Sequence, residues 1–139
     1  MEDHMIRLIC GPKGTGKTKT ILEAVKVAVD NAKGDIVFIT DKKFDSLRVN
    51  FNVRVIYAND FGIKGVDAFR GFIKGLFAGN ADIEYLYIDG LMRILGTDAD
   101  LQGFFEDLIS LEKEYGFKAE ITISKEVKDL PAIAQGFAI

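Results

Sequence analysis

A chain of 139 residues, 48% of them hydrophobic by type, suits one globular domain spanning residues 1–139, with a core large enough to fold alone and no room for a second full domain. Charged residues make up 28% and the formal net charge is −3, which gives no field that gathers nucleic acid or an anionic membrane non-specifically. The single Cys10 excludes a disulfide within the chain, and His4, the one histidine, leaves histidine metal clusters and Ser-His-Asp or Cys-His catalysis poorly supported.

The stretch MEDHMIR is acidic where a secretory signal is basic, and no apolar run approaches the roughly 20 residues of a membrane span. A cytoplasmic location without a membrane partner is therefore expected. The first strand is expected at residues 6–10 (IRLIC), followed directly by the glycine-rich octapeptide GPKGTGKT at residues 11–18. An amphipathic helix over residues 17–30 then buries Ile21, Leu22, Val25, Ala28 and Val29, with Gly34 just beyond its end. The second strand, residues 35–40 (DIVFIT), and the fourth, residues 83–89 (IEYLYID), are almost continuously apolar, as in strands covered on both faces. The third, residues 53–58 (VRVIYA), and the fifth, residues 118–124 (KAEITIS), alternate more, which places at least one of them nearer an edge.

Between the third and fourth strands, Val66, Phe69, Ile73 and Leu76 recur at helical spacing and predict a helix over residues 66–78. Gly71, Gly75 and Gly79 leave one stripe of it bare. Each interior glycine costs about 0.5–1 kcal/mol relative to alanine, a cost offset where tight helix-on-sheet packing or a second subunit brings another backbone close. A further helix over residues 98–115 opens with TDAD, in which Thr97 and Asp100 are expected to form a capping box, and stops at Gly116. The tail contains Pro131 and reads as a short helix followed by a last strand at residues 136–139. Short β-branched runs alternating with helical patterns predict an α/β three-layer sandwich around a mostly parallel sheet of about five strands.

Gly11, Gly16, Lys17 and Thr18 fill the pattern G-x-x-x-x-G-K-S/T, with a strand before it and an amphipathic helix after it, the context of a phosphate-binding loop. Gly11, Gly14 and Gly16 let the backbone wind around an anion with its N–H groups inward, and the opening helix adds its positive dipole end. Lys17 reaches the β and γ oxygens as a point charge. The Thr18 hydroxyl is placed to take one coordination site on Mg²⁺, which dehydrates reluctantly and prefers few protein ligands. Pro12, Lys13, Thr15 and Lys19 complete the nucleotide-contacting segment, although a loop lysine such as Lys13 is ordinarily solvated.

GPKGTGKT resembles the Walker A loop of P-loop NTPases and differs only at Lys13 from the GPPGTGKT typical of AAA-type ATPases. The likeness is close over these eight residues and extends to the remainder as pattern and strand order. It implies a RecA- or AAA-like P-loop topology, a nucleoside triphosphate ligand and Mg²⁺. ATP is favoured over GTP because no guanine-reading NKxD segment is present. The resemblance further implies that Asp89, ending YLYID, holds Mg²⁺ through water, the alternative being an ordinary Asp-Gly turn with Gly90. In efficient hydrolases of this superfamily a glutamate usually follows that aspartate and orients the attacking water; Gly90 stands there instead. In the RecA-like branch the carboxylate lies beyond the next strand over, which makes Asp41 of FITDKKFD the candidate, against an exposed loop aspartate beside Lys42 and Lys43. Ser124 lies where the family often has a polar γ-phosphate sensor.

Lys17, Asp41 and Asp89 are thus the candidate catalytic residues, Thr18 and Asp89 the candidate metal ligands, and Arg48, Arg70 and Arg93 the available arginines. The expected function is that of a small ATP-binding protein hydrolysing slowly with Mg²⁺ and controlling a protein partner, or acting as a homo-oligomer. A small-molecule or nucleotide kinase is the alternative, although no arginine-rich lid segment is recognisable. A non-catalytic nucleotide-binding module is another, with the glycine stripe, Phe72 and Phe77 as its contact surface.

Overall fold

The computed structural model describes residues 5–43 and 52–139; His4 and Arg48 lie outside them. Its strands are β1 (Ile6–Cys10), β2 (Asp35–Thr40), β3 (Val53–Tyr57), β4 (Ile83–Asp89) and β5 (Lys118–Ile123). The helices are α1 (Lys17–Asn31), α2 (Val66–Gly79), α3 (Leu91–Leu95), α4 (Gln102–Tyr115) and α5 (Ala132–Gln135), with 3₁₀ turns at Ala58–Phe61 and Val127–Asp129. All strand pairs are parallel and run in the order β1-β5-β4-β2-β3, so the fold is α/β with a five-stranded parallel sheet.

That order decides where the helices go. The step from β1 to β2 runs toward the β3 edge, whereas the steps from β3 to β4 and from β4 to β5 run back. Right-handed crossovers therefore put α1 on one face of the sheet and α2 and α4 on the other. The core divides in the same way. Ile9, Phe38 and Tyr87 meet Ile21, Val25 and Ala28 of α1, while Leu8, Ile39, Leu86 and Ile121 pack in the cluster that holds Phe69, Phe77, Phe104 and Leu108 of α2 and α4. Apolar residues on both sides of β2 and β4 fit their continuous hydrophobic runs.

β3 is an edge strand, as its alternation suggests, but β5 lies between β1 and β4. Its alternation has another origin, since Glu120 and Thr122 are engaged by partners on the α1 face. The other edge is β1, against which the expected last strand shrinks to a single bridge: Leu8 N–H donates to the Phe137 carbonyl at 2.8 Å and Ile139 N–H to the Leu8 carbonyl at 3.0 Å.

The helix expected from residue 98 begins at Gln102, and residues ahead of it form the separate short α3, because Gly96 turns the chain at φ +102°. The Thr97 capping box does not form; Asp100 alone accepts the Gln102 N–H, at 3.0 Å. Gly34 serves close approach rather than a left-handed helix end: a Cβ there would stand 2.5 Å from the Asp82 carbonyl oxygen.

The glycine stripe is also different from expectation. Gly71, Gly75 and Gly79 face open space, with nothing within 4 Å of a Cβ added at any of them, so neither the sheet nor another part of the described chain packs tightly there. Phe77 is core, not contact surface, at 1% exposure with its ring stacked on Phe117 at 4.3 Å between centroids. Phe72 is half-buried against the same core. Among the described residues, no helix is long and apolar enough to cross a membrane.

Candidate functional site

The sheet order sets the C-terminal ends of β1, β5 and β4 side by side, and the octapeptide leaves from the first of them. Gly11, Gly14 and Gly16 have φ of +137°, +81° and +82°, values that side chains rarely adopt, so the loop's path depends on glycine at these positions. Gly11 N–H donates to the Lys125 carbonyl at 3.0 Å, which ties the loop to the segment after β5. Within the loop, the Pro12 carbonyl accepts from Lys17 Nζ at 2.7 Å and from Thr15 Oγ1 at 2.8 Å. Gly16 caps α1 without a side-chain bond, leaving the helix's positive end to the loop. Burial lowers the Lys17 ammonium from its ordinary pKa, and the nearby Arg93 adds to that.

Thr18, on the first turn of α1, and Asp89, 71 residues later at the end of β4, meet here. Thr18 Oγ1 stands 3.2 Å from each oxygen of the Asp89 carboxylate, which is 1% exposed. Asp89 thus bridges the first turn of α1 and β5. Its Oδ1 accepts a 2.7 Å bond from Thr122 Oγ1, and the same hydroxyl accepts the Gly90 N–H, also at 2.7 Å. Thr122 is 2% exposed and fixes the carboxylate against the backbone that follows it. The only sequence sign of this residue is a hydroxyl inside the strand run KAEITIS.

Arg93, one of the three available arginines and four residues beyond Asp89, also reaches this site, through a pairing with Asp41 that the sequence does not show. Thr40 pairs with Asp89 in the β2–β4 register, so Asp41 emerges beside Asp89. There Arg93 Nε donates to both Asp41 oxygens, at 2.9 and 3.0 Å, and Arg93 Nη2 lies 3.7 Å from Asp89 Oδ2. Nη2 is buried and, among the described residues, has no hydrogen-bond partner. Asp41 is partly buried in this pair rather than loose beside Lys42 and Lys43. The same guanidinium explains Gly90. With φ at +88°, a side chain at residue 90 would be strained, and its Cβ would run into the Arg93 guanidinium, which would have to move to admit it.

A cleft of about 320 Å³ opens among these groups, lined by Lys13, Lys17, Thr18, Arg93, Thr122 and Ser124, with Lys42 at its side. The structure thus brings Lys13 and Ser124 to the cleft. Lys19 is exposed on the first turn of α1 and does not line it, and Arg70 is engaged elsewhere, bonding Asp107 of α4 at 2.6 Å. Among the described residues, four cations (Lys13, Lys17, Lys42 and Arg93) outnumber the two carboxylates Asp41 and Asp89, so the local balance is positive.

A second concavity, of about 350 Å³, lies at the opposite end of the strands. It is lined by Arg7, Tyr85, Tyr87, Lys118 and Glu120 beside α1. Its charges answer one another: Arg7 pairs with Glu120 at 4.0 Å and Lys118 stands 5.8 Å over the Tyr85 ring. Burial raises the Glu120 carboxyl above its ordinary pKa.

Thr18 and Asp89 offer hydroxyl and carboxylate oxygens, the donor chemistry that suits Mg²⁺. Among the described residues, no group of three His, Cys, Asp or Glu gathers. A metal ion at Thr18 and Asp89 would draw its remaining ligands from water and a bound anion. No protein-family model matches the chain, and no curated protein matches it significantly.

Proposed function

We propose that this is a cytoplasmic nucleoside triphosphate-binding protein of the P-loop type, with ATP preferred over GTP. The observation that carries the reading is the convergence of Lys17, Thr18 and Asp89 under a loop wound by three positive-φ glycines. Phosphate oxygens would accept the loop's N–H groups, with Lys17 as the counter-charge. Mg²⁺ would be held by Thr18 and by Asp89, and would supply charge neutralisation across the β and γ phosphates. An all-parallel sheet in which Asp89 ends β4 and Asp41 follows the adjacent β2 supports a RecA- or AAA-like topology.

The same geometry favours binding over rapid turnover. Gly90 offers no carboxylate to orient an attacking water, and both oxygens of Asp41 accept from Arg93. Hydrolysis by the lone protein should fall well below the enzyme median of about 10 s⁻¹, so that turnover depends on a protein partner or a second copy.

Titration with a fluorescent ATP analogue, with and without Mg²⁺, tests the reading. Lys17→Ala removes a charged contact worth about 1.5–3 kcal/mol and should weaken binding about tenfold to a hundredfold. Equal affinity of wild type and variant would overturn the phosphate-loop assignment. Phosphate release at several per second from the same wild-type sample would overturn the slow-turnover part alone.

A further inference from the structure

We infer that Arg93 and a divalent cation compete for Asp89, so that the chain's own guanidinium supplies part of the positive charge that a triphosphate would otherwise draw from metal. The inference rests on the phosphate-binding reading of the loop and adds a regulation of that site. Asp89 Oδ1 accepts a short 2.7 Å bond from Thr122, whereas Oδ2 has only the longer 3.2 Å contact with Thr18, so Oδ2 is the less engaged oxygen and the one more open to a cation. Arg93 Nη2 stands 3.7 Å from Oδ2, and Thr18 Oγ1 is 3.2 Å from it. A guanidinium and a dication addressing one oxygen repel each other as well as share it.

The guanidinium is not at rest in its contacts. Among the described residues Nη2 is buried without a hydrogen-bond acceptor, a costly condition for a charged donor, and it belongs to a side chain that lines the cleft with Lys17. A phosphate oxygen entering the cleft would provide the missing acceptor. Both Asp41 oxygens accept from Arg93 Nε, which anchors the side chain and leaves Nη2 beside Asp89 Oδ2 without a hydrogen bond of its own among the described residues. Asp41 is accordingly a positioning residue for Arg93. Gly90 completes the device, since any side chain there would displace the guanidinium.

The test compares dissociation constants of a fluorescent ATP analogue in EDTA and in saturating Mg²⁺ for wild type, R93Q, D41N and K17A. Arg93→Gln should weaken metal-free binding about tenfold, as expected for loss of a charged hydrogen bond. It should also enlarge the affinity gained on adding Mg²⁺ by a similar factor, because Asp89 is released to the metal. Asp41→Asn should shift both quantities in the same direction by a smaller factor, and it carries the test if R93Q fails to fold. If K17A loses binding while R93Q and D41N keep the wild-type metal-free affinity, or keep the wild-type gain from Mg²⁺, the competition is refuted. Wild-type binding indifferent to Lys17 would instead overturn the reading of the site itself.

Discussion

Replacing Thr122 by valine probes the joint that holds Asp89 in place. The two side chains have nearly the same shape, so the change removes a hydroxyl without opening a cavity. Two bonds of 2.7 Å disappear: the Gly90 N–H loses its acceptor and the Asp89 carboxylate loses a donor, at a residue only 2% exposed. A buried N–H left without a partner costs about 1–3 kcal/mol, and a hydrogen bond to a charged group contributes about 1.5–3 kcal/mol. Because Thr122 lines the cleft, water can recover part of this, and a net loss of about 2–4 kcal/mol is expected. Unfolding entropy of about 2.1 cal/mol/K per residue gives about 0.29 kcal/mol/K for the 139-residue chain, so the melting temperature should drop by about 7–14 °C. Thr122→Ser keeps the hydroxyl and loses one methyl, which should cost less than about 1.5 kcal/mol. Calorimetric melting of the three proteins at pH 7 decides the matter. Were the valine variant within about 2 °C of wild type, or the serine variant as unstable as the valine one, packing rather than hydrogen bonding would account for Thr122.

The open stripe on α2 makes a prediction opposite in sign to tight packing. Gly75→Ala meets nothing within 4 Å and should stabilise the protein by about 0.5–1 kcal/mol, a rise of about 2–3 °C in melting temperature. A lowered melting temperature together with a smaller sedimentation coefficient would mean that a second subunit covers the stripe. Acid stability should depend on Glu84, whose carboxylate accepts N–H bonds from Gly34 at 2.8 Å and Lys33 at 2.7 Å, bonds that hold its pKa below the ordinary value. A depressed folded-state pKa contributes stability above the ordinary carboxylate value of about 4.5, which is lost as pH falls through the folded-state value. Melting temperature measured from pH 7 to pH 3 should therefore fall more steeply below about 4.5 for wild type than for Glu84→Gln, which keeps an acceptor but does not titrate. Parallel curves over that range would refute the assignment.

Much of the architecture was legible in the sequence because it is written locally. The strand centres follow from runs such as DIVFIT and IEYLYID, the loop from GPKGTGKT, and α1 from the spacing of Ile21, Val25 and Ala28, all of them signals that neighbours within a few residues create. Even the proximity of Asp41 to the Asp89 strand was anticipated, through the resemblance of the octapeptide. What the sequence concealed depends on residues far apart in the chain. Alternation in KAEITIS looks like solvent exposure, yet Thr122 is polar because it bonds Asp89, 33 residues earlier, in the middle of the sheet. A glycine after Asp89 looks like a turn residue, yet it is the space occupied by Arg93, whose own position is fixed by Asp41, 52 residues away. The glycines of α2 carry the same local signal whether another backbone covers them or not, and only the packed structure leaves them open. Local pattern determines which segments become strands and helices. Which polar atoms then face one another is decided by the strand order, because it alone sets the ends of β1, β5, β4 and β2 together.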